Sequence, residues 1–204
     1  VLLVRENGGS YAAAGLLAAA HVGAAAVAAP LQGRLADRWG QRVVLVVVGA
    51  AYGLGMAATI AAISGLTGDG EVPPPWPHLA AAAAGLFVPQ TGSFVRARWT
   101  HALRDRRPLL TTAFAIEAVL DEVVFVVGPV LVTFLTLQVL DVAGLATATA
   151  AAVLGSWALA AQTDTEPPRA AVRTARRDPM GWPVLAPVLV AAIGIGTLFG
   201  SAEV

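Results

Sequence analysis

Three carboxylates, Glu117, Asp121 and Glu122, fall within one stretch from Ala115 to Val132 that carries no other charge. A carboxylate in apolar surroundings holds its proton more tightly than one in water. It can therefore load and release a proton as its surroundings change. On a helix, Glu117 and Asp121 are four positions apart and share a face, whereas Glu122 points about 100° away and need not share their role. The other groups with chemical potential are dispersed. His21, His78 and His101 stand far apart, with no histidine pair at metal-ligand spacing and no Gly-x-Ser-x-Gly elbow. Cysteine is absent, which excludes disulfides and thiolate metal sites. These features argue against an enzyme and call for no metal or cofactor. They leave an acid cluster in search of a setting.

The setting is a membrane. Of 204 residues 57% are hydrophobic and 13% charged, about half the charged share of a soluble domain. The apolar residues come in long runs of Ala, Val and Leu rather than in alternating faces, as in helices that avoid water all round. Crossing a hydrocarbon core of about 30 Å takes roughly 20 residues of helix. Six stretches qualify or come close, near 11–31, 43–65, 78–95, 110–137, 142–161 and 182–204. They are too long, and too little alternating, for barrel strands. The expected fold class is an all-α integral membrane bundle of several spans.

The basic residues test that division. All 13 are Arg, and 12 of them fall in the connectors 32–42, 96–109 and 162–181, which share one side if the six spans are real; only Arg5 falls on the other. The excess of Arg on one side marks it as cytoplasmic. Zero net charge gives no reason to expect nucleic acid as a partner. The stretch Arg169 to Arg177 offers contact with anionic lipid, although a plain solvated linker accounts for it as well.

Depth then singles out one acid. Asp121 lies about 17 Å from Leu110 by helix rise, near the middle of a bilayer. An ionised acid facing lipid there costs on the order of 3 kcal/mol. The three acids must therefore face a bundle interior or an aqueous cavity, be paired, or be protonated. A structural role, pairing with a residue elsewhere in the protein, is the alternative to coupling. His21, mid-span, is a weaker candidate, more simply read as a packed hydrogen-bonding residue. Gln90 and Thr91 offer hydrogen bonds to a substrate or to a neighbouring helix. Gly128 and Pro129 predict a helix kink.

Between the first two spans stands Gly33-Arg34-Leu35-Ala36-Asp37-Arg38-Trp39-Gly40-Gln41-Arg42. Gly33 and Gly40 predict a tight reversal, with Pro30 at the end of the preceding helix. Asp37 suits a helix N-terminus or an Arg partner, and Arg38 and Arg42 suit headgroup anchoring. The segment resembles the signature loop of the major facilitator superfamily, through Gly33, Leu35, Asp37, Arg38, Gly40 and Arg42. That resemblance implies that the six spans are the second to seventh of twelve helices, and that Val1 to Val4 is the exit of a preceding helix. Residues 1–161 would then be most of the N-terminal half, 162–181 the cytoplasmic linker, and 182–204 the first helix of a C-terminal half that is mostly missing. It also implies that Asp37 latches the cytoplasmic side with Arg96 or Arg98 and with a helix of that missing half.

Gly128-Pro129 is similar to the Gly-Pro core of a motif found in the superfamily's drug antiporters, but Val130-Leu131-Val132 replace the glycines expected next. The intramembrane Arg that proton-driven exporters often carry in the fourth helix has no counterpart in 78–95, so coupling would fall to Glu117, Asp121 or Glu122. The resemblance implies a secondary transporter of small molecules across the cell membrane, working by alternating access, with export favoured; the buried acids offer a proton or another cation as the coupling ion. A non-transporting six-helix scaffold or channel subunit is the alternative.

Overall fold

A computed structural model describes residues 11–64 and 75–169, with Val4, Ala186 and Val190 as isolated helical positions. The chain falls into two units, Val1–Ala170 and Ala171–Val204. All the elements below belong to the first. The expected span 182–204 and the exit segment Val1–Val4 lie outside the described residues, apart from those isolated positions.

The described residues form helices and no strand: α1 (Tyr11–Trp39), α2 (Gln41–Ser64), α3 (Trp76–Leu86), α4 (Thr91–Ala102), α5 (Arg107–Gln138) and α6 (Ala143–Ala161). Helices α1, α2, α5 and α6 are long and apolar enough to cross a membrane. At 29, 24, 32 and 19 residues they reach about 28 to 48 Å by helix rise.

Two departures from the sequence expectations follow from backbone chemistry. The span expected at 78–95 is split. Helix α3 stops at Leu86, and α4 begins at Thr91. Pro89 explains the break: it has no N–H to donate, and its ring disfavours helical geometry at Val88. The reversal between the first two helices is also tighter than a two-glycine loop. Helix α1 runs through Pro30 and Gly33 to Trp39, and only Gly40 turns the chain, at φ +93°. Only a residue without Cβ adopts that conformation cheaply. Pro30 is thus inside a helix rather than at its end, and Gly33 is an interior helical position with open space around it.

Packing relies on small residues. Helix α1 lies along α3, and α2 packs on both α3 and α6. At Gly85 a Cβ would run into the carbonyl oxygen of His21, and at Gly55 it would sit 2.8 Å from the Cα of Ala84. Such contacts let backbones approach closely where apolar burial alone gives no drive. A cluster of buried apolar side chains lies at the end where α1 turns into α2: Val44, Leu45, Val48 and Phe94, with Ala36 and Ala160. The large apolar residues of α5, from Leu109 to Leu137, are mostly exposed. An apolar face of that length suits lipid or another membrane helix.

Candidate functional site

The first cluster links α4 to α5. Arg96 donates through Nε to Glu117 Oε1 at 2.8 Å and through Nη2 to Asp121 Oδ2 at 3.5 Å. Arg96 stands in the middle of α4, since that helix continues to Ala102. It is not in a loop beyond the span, as its charge suggested from sequence. Arg96 is thus a helical residue directed at the acids of α5.

The two acids differ in setting. The Glu117 side chain is 12% exposed, against 69% for Asp121. Glu117 Oε2 is buried and has no hydrogen-bond partner among the described residues. One oxygen of Glu117 is thus held by a cation, while the other has no donor among the described residues. Glu122 is exposed and makes no ion pair among the described residues. Helices α4 and α5 otherwise touch lightly, so the Arg96 pairs form much of the tie between them. Further along α5, Gly128 has open space around it, and Pro129 stands within a helix that remains unbroken from Arg107 to Gln138.

The second cluster gathers at the Arg-rich end, around the turn at Gly40. Arg98 is 5% exposed. It donates through Nε to Gln41 Oε1 at 2.9 Å, and through Nη1 to the carbonyl of Gln162 and, at 3.2 Å, to Thr165 Oγ1. Glu166 accepts the backbone N–H of Arg42 at 3.0 Å and attracts the Arg98 guanidinium through space. These bonds fold residues 162–166, which follow α6, across the start of α2. Leu35 packs against the apolar cluster beneath, while Asp37 and Arg38 are exposed on the last turn of α1. Arg96 and Arg98 were interchangeable candidates from sequence. Here they have separate partners, Arg96 the α5 acids and Arg98 the turn.

A third group forms around the break between α3 and α4. Gln32 donates through Nε2 to the carbonyls of Leu86, at 3.3 Å, and Val88, at 3.0 Å. Helix ends leave carbonyls without an intrahelical partner, and a buried side-chain amide on α1 serves them here. Gln90 donates to the same Val88 carbonyl at 3.2 Å, and Thr91 opens α4. Nearby, His21 Nδ1 lies 3.0 Å from the Ala81 carbonyl, with its ring 6.1 Å from that of Tyr52. His21 thus bonds between helices, as the structural reading expected, with its proton on Nδ1.

No protein-family model, curated protein or solved structure matches the chain.

Glu166 and Gln32 were not singled out from sequence. Glu166 sits in a stretch that looks like solvated linker, and its partner is 124 positions away. Gln32 immediately precedes the Gly33 segment, and the nearby Pro89 was the available sign that carbonyls would need a donor.

Proposed function

We propose that this chain is part of a secondary transporter of the major facilitator type, moving a small molecule across the cell membrane by alternating access, with export favoured and protons as the coupling ion. The observation that carries the reading is the Arg96–Glu117–Asp121 cluster, which joins the short helix α4 to the membrane-length helix α5 where the two otherwise touch lightly. A guanidinium shared by two carboxylates is a switch element. A proton on Glu117 Oε2 would remove the charge that holds Arg96 and loosen α4 from α5. Its loss would restore the pair. A proton-coupled cycle of alternating access needs such an element, one whose two arrangements differ in proton content. Asp121 was favoured by depth alone; the lower exposure of Glu117 and its unpartnered oxygen make Glu117 the leading coupling acid.

The split span supports the same reading. Discontinuous helices in transporters bring irregular backbone to the interior, where it lines the substrate path. The break at 87–90, braced by Gln32, has that form. The turn at Gly40 would then belong to the cytoplasmic gate, with Asp37, Arg38 and Arg42 at its face.

The test uses the full-length parent in proteoliposomes with an internal pH dye, screened against candidate drugs and metabolites. Glu117→Gln should abolish substrate-evoked proton movement, and Asp121→Asn should reduce it. Unchanged proton movement in both variants would remove the coupling role from this cluster.

A further inference from the structure

Arg98 has more donors than its partners use. Three acceptors hold its Nε and Nη1, yet Nη2 is buried without a hydrogen-bond partner among the described residues. Leaving part of a buried cation without an acceptor is costly. A guanidinium donates only, so whatever completes it must accept, and an oxyanion fits its fork best.

Beside Arg98 lies a cavity of about 120 Å³ between α4 and α6. Val95, Trp99, Ala102 and Leu159 supply its apolar lining, and Arg98, Gln162 and Thr165 its polar lining. The surroundings narrow the class of ligand. A metal cation is excluded by the guanidinium, and a free polar anion gains nothing from the apolar wall. Glu166 already balances part of the Arg98 charge, which favours a monoanion over a dianion. Trp99 is 41% exposed in the last turn of α4, and its indole is of the kind that settles at the headgroup level. A phosphodiester with acyl chains attached matches each of these features.

We propose that the cavity between α4 and α6 binds the phosphodiester headgroup of an anionic phospholipid, with Arg98 as its phosphate ligand and Trp99 and Leu159 against its apolar part. Because Arg98 also holds Gln41 and the 162–165 segment, bound lipid would brace the turn at Gly40. The site stands apart from the Arg96 cluster and does not depend on the transport reading.

The experiment follows thermal unfolding of the full-length protein in detergent with added phosphatidylglycerol, with diacylglycerol of the same chains, or with inorganic phosphate. Phosphatidylglycerol should raise the midpoint by about 3–5 °C at saturation, and the other two should not. Ala102→Phe, which fills the cavity and leaves Arg98 with its three acceptors, should lose that shift and melt near the parent without lipid. An equal shift from diacylglycerol, or a phosphatidylglycerol shift that survives in Ala102→Phe, overturns the proposal. A full shift from inorganic phosphate alone overturns the lipid as source.

Discussion

Glu166 Oε1 accepts the backbone N–H of Arg42 at 3.0 Å, joining the stretch after α6 to the second residue of α2. The first N–H groups of a helix have no partner within it, and a carboxylate there gains from both the hydrogen bond and the helix dipole. Glu166 therefore acts as a cap supplied from elsewhere in the chain.

Removing that cap has a measurable consequence. Glu166→Ala should destabilise the helical unit by about 1 kcal/mol, the usual cost of a lost N-terminal cap. Glu166→Gln keeps an acceptor and should cost less. Thermal unfolding in detergent distinguishes them; equal melting of parent and both variants would show that the bond contributes nothing.

Gly40 is the narrow point of the same turn. Its φ of +93° disfavours any side chain, and a Cβ would stand 2.9 Å from Glu166 Oε1. Gly40→Ala should therefore cost about 1–3 kcal/mol from the backbone alone and displace the Glu166 cap as well. Combined with Glu166→Ala, the two losses should be less than additive, because each removes part of the same contact. Full additivity in a double-mutant cycle would refute the coupling.

Much of this organisation was legible in the sequence, and each misreading has its own physical cause. Long apolar runs located α1, α2, α5 and α6, because a helix that shuns water all round leaves an unmistakable pattern. Hydropathy was a poor guide where charge lies on a helix. Arg96 and Arg98 read as loop, yet they extend α4 to Ala102, each with acceptors close by. Gly33 looked like a hinge because glycine often is one, but a helix tolerates it, and the positive φ falls at Gly40 alone among the described residues. The bond between Glu166 and Arg42 left no local trace, since nothing in either neighbourhood specifies a partner 124 positions away.

The two kinds of glycine predict opposite outcomes. Gly33 lies in α1, and a methyl group added there would meet nothing within 4 Å. Gly33→Ala should therefore be neutral or stabilise by up to about 1 kcal/mol through helix propensity. Gly85 abuts the backbone of His21, and Gly85→Val should force α1 and α3 apart and break the bond from His21 to the Ala81 carbonyl. Paired melting curves decide it: a Gly85→Val variant as stable as Gly33→Ala would mean that the helices do not cross closely there.

The Arg96 cluster makes the sharpest demand. Arg96 lies 2.8 Å from Glu117 and 3.5 Å from Asp121, and the Asp121 side chain is 69% exposed. Charge-assisted bonds strengthen with short distance and burial, and exposed pairs contribute little. Double-mutant cycles that pair Arg96→Gln with Glu117→Gln and with Asp121→Asn should therefore give unequal coupling, about 1 kcal/mol for Glu117 and close to zero for Asp121. The same ranking should appear in function, with Glu117→Gln the more damaging neutralisation. A larger coupling for Asp121 would transfer the leading role to the deeper acid. Additivity in both cycles would mean that Arg96 holds neither acid, and that α4 and α5 are tied by their short connection alone.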